Sequence, residues 1–165
     1  MREVTTTYLQ ISSIAELRGK AAAEARFIVR ETTMPKWQVN RSLYLHVGEP
    51  WGWTDRRKWA DERWQAYVSS ESLRTFIGFI DEAITGYFEL EKKGSEVEIA
   101  YFGLTSDFIG KGLGGALLTR AIEEAFGWGA SRVWVHTCTL DHPAALQNYL
   151  ARGMQVYATS TEKRP

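Results

Sequence analysis

Cysteine is nearly absent from this chain of 165 residues, and so are long apolar runs. The single cysteine, Cys138, cannot form an internal disulfide. No uncharged apolar stretch approaches the roughly 20 residues that a membrane-spanning helix needs, and residues 1–6 lack the apolar core of a signal peptide. We therefore expect a cytoplasmic protein without a membrane partner.

A surplus of charge is also absent. Lys and Arg number 20, Asp and Glu number 20, and the net charge is therefore zero. Because neutralising phosphates requires an excess of Lys and Arg, this balance argues against a nucleic-acid partner. The composition otherwise matches a folded protein, and the length predicts a single domain over 1–165.

Aromatic residues, by contrast, are abundant: the chain has seven Trp, seven Tyr and seven Phe. Five of the tryptophans lie in one segment, 37–64. Helical spacing predicts that four aromatic residues of this region pack in a core: Trp37, Trp59, Trp64 and Tyr67. Trp51 and Trp53 instead flank a glycine in a predicted loop, where helix packing does not explain them.

Periodicity and turn residues predict the order of elements. Strands are expected over 4–11, 27–31, 76–80, 84–91, 96–104, 132–140 and 156–159. Helices are expected from Met34-Pro35 to about 47, up to about 68, from the glycine segment to about 126, and from 141–143 to about 152. The fold class is therefore a mixed α/β sheet. Its strands are antiparallel in the N-terminal half, and strand, glycine loop, helix, strand, helix and strand follow in the C-terminal half.

The main chemical signal is a glycine-rich segment between a predicted strand and a predicted helix, 110–115. Glycine lets the backbone approach a ligand closely, and the first turn of a helix has unpaired N–H groups. Together they predict an anion site suited to phosphate. Gly110, Gly112 and Gly115 also have the spacing of a dinucleotide fingerprint, but the acidic residue expected at the end of the next strand is missing.

The runs 98–104 and 110–118 resemble the acyl-CoA-binding motif of the GNAT acyltransferase superfamily. A second family motif has its counterpart in Ala145, Tyr149 and Gly153, which are spaced four apart. Three positions depart from the usual residues of the family: Ile109 (Gln or Arg), His142 (Asn) and Met154 (Phe). The change at 109 removes a polar side chain but no backbone N–H, so phosphate binding is expected to survive.

The resemblance implies transfer of an acetyl or other acyl group from acetyl-CoA to a primary amine, by direct attack in a ternary complex and without a metal. It implies a GNAT-like fold with an acceptor-side half, 27–96, and an acyl-CoA-binding half, 97–160. The acceptor is expected to be a small molecule or a peptide, and a homodimer is left open. The tail beyond Gly153 has room for one strand where the family often has two. Either the strand 4–11 or a second subunit is expected to complete that edge.

The resemblance also assigns cofactor binding to the strand and the glycine loop. The backbone of Phe102 and Leu104 would face the pantetheine arm, Gly103 would form a bulge, and the glycine loop would hold the pyrophosphate. The expected acetyl-CoA ligands are Phe102, Gly103, Leu104, Ile109, Gly110, Lys111, Gly112, Leu113, Gly114, Gly115 and His142.

For catalysis, the resemblance implies Tyr149 as the acid that protonates the leaving thiolate and Glu98 as the base that deprotonates the amine. A water chain could replace Glu98. Cys138 and His136 lie two apart on one strand face, so an acyl-enzyme is an alternative. A metal cluster of these two with His142 is a weaker one, because a fourth ligand is missing.

Trp51 and Trp53 are the expected acceptor-binding residues, because they offer flat apolar faces and indole N–H groups to an amine. Two other functions remain open for the chain. One is a non-catalytic acyl-CoA-binding or sensing domain. The other is a nucleotide-dependent enzyme that uses the glycine loop.

Overall fold

A computed structural model describes residues 1–32 and 36–165 of the chain. The helices described there are α1 (Trp37–Gly48), α2 (Asp61–Val68), α3 (Gly114–Gly127) and α4 (Ala145–Ala151). The strands are β1 (Arg2–Ile11), β2 (Phe27–Glu31), β3 (Leu73–Ile80), β4 (Ala83–Lys93), β5 (Glu96–Leu104), β6 (Arg132–Cys138) and β7 (Gln155–Arg164). Short 3-10 turns form at Ile14–Glu16, Glu49–Trp51 and Ser106–Phe108.

These strands form one sheet in the order β2-β3-β4-β5-β6-β1-β7. In the described part of the chain, β5 and β6 run parallel and the other neighbours run antiparallel. The predicted mixed α/β class is therefore confirmed, with an antiparallel meander followed by strands that alternate with helices. The predicted start of α1 at Met34-Pro35 lies outside the described residues.

One face of the sheet packs against α3 and α4 and forms the larger core. The apolar stripe predicted on α3 is fully buried: Leu113, Leu117, Leu118, Ala121, Ile122 and Ala125. It contacts side chains from the central strands, including Leu9, Phe88, Ile99 and Val133. Sequence periodicity therefore placed this helix correctly, because its buried face depends on spacing along one element.

The opposite face packs against α1 and α2 over β3, β4 and β5. Leu43, Tyr44 and Val47 of α1 are buried there, and α1 ends at Gly48 as predicted. Gly48 is needed for a different reason than helix termination, because a Cβ on it would overlap the indole ring of Trp53.

β1 lies between β6 and β7. It pairs with β6 over Thr6–Ile11 and with β7 over Arg2–Gln10. The sheet is thus completed within the chain, by insertion of β1 rather than by its addition outside the last strand. β7 is six residues longer than predicted because β1 supplies backbone partners along its whole length. Among the described helices, none has the length and hydropathy needed to cross a bilayer.

Candidate active site

β5 and β6 separate after three residue pairs. They pair in parallel over Glu96–Glu98 and Arg132–Trp134. Beyond this point β5 stays paired with β4, and β6 stays paired with β1. In the part of the chain that the structure describes, the backbone of 99–104 has no neighbouring strand on its β6 side. A gap with free backbone N–H and C=O groups therefore opens in the sheet.

The bulge in β5 lies at Ala100. The register of β4 and β5 skips this residue. The predicted bulge at Gly103 is wrong, because Gly103 pairs in register with Tyr87. A Cβ on Gly103 would come 2.5 Å from Val47 Cγ1. Glycine is needed at this position because α1 packs directly against the strand.

A cleft of about 710 Å³ follows the gap. Its walls come from the glycine loop, α4, β5, β6, β1, β7 and the loop between α1 and α2. All the expected acetyl-CoA ligands line it except Lys111. Tyr149, Trp51 and Trp53 line it as well, whereas Glu98 does not.

The glycine loop has the geometry of an anion cradle. Gly110 and Gly112 have φ values of +79° and +76°, which side chains rarely tolerate. A Cβ on either residue would meet nothing within 4 Å, so the space beside the loop is open. α3 begins at Gly114 without a side-chain cap, so its first N–H groups are unpaired. These residues fit a phosphate group.

Two basic side chains reach the start of α3, and sequence patterns did not indicate them. Arg152 Nη1 and the Lys20 side chain occupy the space that a Cβ on Gly115 would need. The backbone N–H of Lys20 donates to Thr119 Oγ1 at 2.9 Å, and that of Arg18 donates to the carbonyl of Arg152 at 2.9 Å. The segment before β2 thus brings positive charge to the helix N-terminus.

Tyr149 lies on α4 with its ring against Phe102, at a centroid distance of 6.1 Å. The residue is only 5% exposed, yet it lines the cleft. Burial, with a smaller contribution from Asp141, raises the pKa of Tyr149. The phenol therefore keeps its proton at neutral pH, which is the state that a general acid requires.

Glu98 lies behind the wall of the cleft, next to His136. Its Oε2 is 3.9 Å from Nε2 of His136, which lines the cleft. The pKa of Glu98 is raised, mainly by burial and to a smaller extent by repulsion from Glu91. The carboxylate is therefore a stronger base than an exposed glutamate.

Cys138 lies on the same strand as His136, and both line the cleft. Within residues 1–32 and 36–165, no group of three or more His, Cys, Asp or Glu side chains is arranged to hold a metal ion.

Two tryptophans that line the cleft contact the residues after β6. The rings of Trp51 and His142 meet edge to face at 4.9 Å. Trp53 Nε1 donates to Asp141 Oδ1 at 3.2 Å, so its indole N–H is already used. His142 Nδ1 accepts from the N–H of Ala144 at 2.9 Å, which helps to order the turn before α4. The ring contact of Trp51 and the hydrogen bond of Trp53 therefore hold the loop between α1 and α2 against the loop after β6.

Asp55 is a charged cleft residue that the sequence analysis missed. Its Oδ1 accepts from the Tyr44 hydroxyl at 2.8 Å, and its Oδ2 accepts from the Tyr101 hydroxyl. Tyr44 lies on α1 and Tyr101 on β5, so two elements fix the carboxylate in place. No local pattern links these positions, since Asp55 and Tyr101 are 46 residues apart.

Aromatic rings from α2, from the loop before it and from β5 surround a buried ion pair. Arg56 Nη1 donates to Glu89 Oε1 at 3.0 Å, and the Glu89 side chain is fully buried. The Arg56 guanidinium lies 4.1 Å from the ring centres of Tyr67 and Tyr101 and 4.7 Å from that of Trp59. The predicted core packing is observed: Trp64 is buried, and the others are partly buried against the same cluster, Trp37, Trp59 and Tyr67.

Solved structures with similar folds include several acetyltransferases. A GCN5-related N-acetyltransferase from Sphaerobacter thermophilus aligns with a TM-score of 0.73 and 16% identity, over 94% of this chain and 49% of that one. A GCN5-related N-acetyltransferase from Kribbella flavida aligns with a TM-score of 0.69 and 16% identity, over 95% and 56%. This chain thus spans about half the length of these two proteins.

An aminoglycoside acetyltransferase from an uncultured soil metagenomic sample also aligns. Its TM-score is 0.63 and its identity 14%, over 77% of this chain and 87% of that one. At these identities the likeness concerns the fold alone.

A search among curated proteins gives no match. The model of the acetyltransferase (GNAT) family matches residues 36–154, which is well over half of the chain. This region contains the glycine loop, the gap between β5 and β6, and Tyr149 on α4. The chain belongs to the GNAT acetyltransferase family.

Proposed function

We propose that this protein transfers an acetyl group from acetyl-CoA to a primary amine of an acceptor. One observation carries the proposal: the gap between β5 and β6 opens into a single cleft that joins the glycine loop at α3 to the loop between α1 and α2. Two substrates that enter from these two walls can meet between the separated strands. Membership of the GNAT family supports acetyl transfer as the reaction.

The residues of the cleft fit acetyl-CoA, which supplies the thioester for the reaction. Gly110 and Gly112 leave open space beside unpaired N–H groups, and Lys20 and Arg152 add positive charge there. The free backbone edge of β5, at Phe102, Gly103 and Leu104, offers donors and acceptors to the amide groups of the pantetheine arm. The other expected ligands that line the cleft are Ile109, Leu113, Gly114, Gly115 and His142.

Glu98 and Tyr149 are the proposed proton carriers. Glu98 does not line the cleft, so it takes the proton of the acceptor ammonium through a water molecule at the cleft wall beside His136. The free amine then attacks the acetyl carbon, a C–N bond forms and the C–S bond breaks. Tyr149 gives its proton to the departing sulfur, and the second proton that the nitrogen loses on becoming an amide restores the phenol. The proton held by Glu98 passes to solvent, so one proton is released for each amide formed. Direct transfer of this kind needs no acyl-enzyme on Cys138.

Replacing Glu98 with Gln is expected to remove the acidic limb of the pH profile of kcat/KM for the acceptor. Because burial raises the pKa of Glu98, this limb should lie above the usual range of a glutamate. Activity is lost as the pH falls through that pKa, since the base then carries a proton. The rate on the plateau should fall about 10²–10⁴-fold, measured by steady-state kinetics across pH.

The matched control is Glu91→Gln, which removes the neighbouring carboxylate from β4 and leaves Glu98 in place. Because Glu91 helps to raise the pKa of Glu98, this variant should keep the limb and move it to lower pH. If Glu98→Gln kept the acidic limb of the wild-type pH profile, Glu98 would be excluded as the base.

Replacing Trp51 with Ala is expected to raise the KM for the acceptor about 2- to 10-fold, because an aromatic face is lost from the cleft wall. The KM for acetyl-CoA should change less. Trp51→Phe is the control, since it keeps a flat apolar ring beside His142. An acceptor KM that is unchanged in Trp51→Ala would remove this residue from the acceptor site.

A panel of amines tests the proposed function. Thiol release from acetyl-CoA is measured with simple primary amines, amino acids, peptides and an aminoglycoside, the last because one similar structure is an aminoglycoside acetyltransferase. Release that depends on an amine supports the proposal. Binding of acetyl-CoA without release from any amine would favour a non-catalytic domain. Thermal stabilisation by NAD or ATP, but not by CoA, would favour a nucleotide-dependent enzyme.

A further inference from the structure

Asp55 presents a carboxylate to the cleft from the loop between α1 and α2. The hydroxyls of Tyr44 and Tyr101 donate to its two oxygens. Burial raises the pKa of both tyrosines, so they remain protonated donors. Asp55 itself is exposed, and each carboxylate oxygen keeps a further lone pair for a ligand.

The charge of Asp55 is not balanced by its neighbour. Arg56 turns inward and pairs with Glu89 at 3.0 Å. The three groups Asp55, Arg56 and Glu89 therefore carry one net negative charge, and it sits on the cleft side. Within the described ranges, Asp55 forms no ion pair with a lysine or arginine. A cation bound in the cleft would neutralise the negative charge of Asp55.

Aromatic rings adjoin the carboxylate. The rings of Trp53 and Tyr101 lie 5.0 Å apart, and both residues line the cleft together with Asp55. A carboxylate next to aromatic faces provides charge-assisted hydrogen bonds and cation–π attraction to an ammonium group. The surroundings of Asp55 therefore favour an amine over a neutral or anionic ligand.

The carboxylate is set back from the gap in the sheet. Tyr101 lies in the unpaired part of β5, and its hydroxyl is at the far end of its side chain from the strand. Because Asp55 accepts from that hydroxyl, its carboxylate stands one tyrosine length away from the backbone of β5. A nitrogen bound to Asp55 is therefore held near the far end of the Tyr101 side chain, which leaves the gap between β5 and β6 to a second nitrogen.

We propose that Asp55 binds a second ammonium group of the acceptor, and that the acceptor is accordingly a diamine or polyamine. One nitrogen pairs with Asp55 while another, a short chain away, reaches the gap. This inference rests on the proposed acetyl transfer and names its substrate class.

The test compares 1,4-diaminobutane with n-butylamine, which has the same carbon chain and lacks the second ammonium group. The wild-type protein should show a kcat/KM for the diamine about tenfold higher or more, the size expected for one charge-assisted hydrogen bond. In Asp55→Asn the two amines should differ by less than about twofold, with the KM for acetyl-CoA unchanged. Higher salt should weaken the wild-type preference.

Two further variants separate charge from structure. Asp61→Asn removes an exposed carboxylate from the first turn of α2, outside the cleft, and should keep the wild-type preference. Tyr101→Phe removes one donor but leaves the carboxylate charge, so it should keep most of the preference. A wild-type protein that does not discriminate between the amines would overturn the proposal, as would an Asp55→Asn variant that still does.

A calorimetric titration keeps this proposal distinct from the proposed function. 1,4-Diaminobutane is titrated into wild-type protein and into Asp55→Asn in the presence of CoA, so no turnover is involved. Binding that depends on Asp55, without acetylation of any amine, would support the site and overturn the proposed function. Acetylation without a diamine preference, and without binding that depends on Asp55, would overturn the site alone.

Discussion

Replacing Arg56 with Met is expected to lower the free energy of unfolding by about 3–5 kcal/mol. The guanidinium donates to Glu89 at 3.0 Å, and Glu89 has no exposed side-chain surface. Without Arg56 this carboxylate would stay buried opposite no cation, although Tyr67 and Asn40 would still donate to it at 2.7 and 3.0 Å. Unfolding in urea at neutral pH measures the loss as a lower midpoint with an unchanged m-value.

Arg57→Met is the matched control, because Arg57 is the next residue and is exposed. Its effect should stay within about 0.5 kcal/mol. The double variant Arg56→Met with Glu89→Gln should lose less stability than the two single variants added together, since removing both charges leaves neither one buried alone. Additive losses would show that the two side chains are not coupled.

Replacing Tyr149 with Phe is expected to lower kcat about 10²–10⁴-fold, the usual contribution of a general acid. Phe keeps the ring that packs against Phe102, so the fold and the cleft should be unchanged. The KM for acetyl-CoA should stay within about twofold, because the lost proton donor acts on the leaving sulfur and not on binding. Steady-state rates with a saturating acceptor measure both constants.

The control for this variant is Tyr157→Phe, which removes a hydroxyl from an exposed tyrosine on β7. Its kcat should equal that of the wild type. A wild-type kcat in Tyr149→Phe would exclude the phenol as the acid, and the proton on sulfur would then have to come from water.

The aromatic segment shows which contacts sequence patterns predict and which they do not. Helical spacing predicted that Trp64 and its neighbours pack inward, and they do, because burial of a helix face follows from residues three and four apart. The same spacing did not predict that Arg56 lies within the ring cluster or that it pairs with Glu89. That contact joins the loop before α2 to β4 across 33 residues, so it exists only in the folded chain.

The loop tryptophans give a second example. Their place in the cleft was predicted, but the indole N–H of Trp53 is used by Asp141, which is 88 residues away. Asp55, two residues further along, is a better candidate for binding an amine, and nothing in its local sequence indicated this. Its partners on α1 and β5 come together only through packing of the helix on the strand.

The sequence by itself determined the fold class, the glycine loop at the start of α3, the buried stripe of that helix and the resemblance to the GNAT family. Each of these depends on residues close together in the chain, where spacing fixes geometry. Only the tertiary structure decided the insertion of β1 between β6 and β7, the bulge at Ala100, the approach of Lys20 to Gly115 and the environment of Asp55. These features depend on which distant segments pack together, and that is set by the free energy of the whole fold rather than by any local pattern.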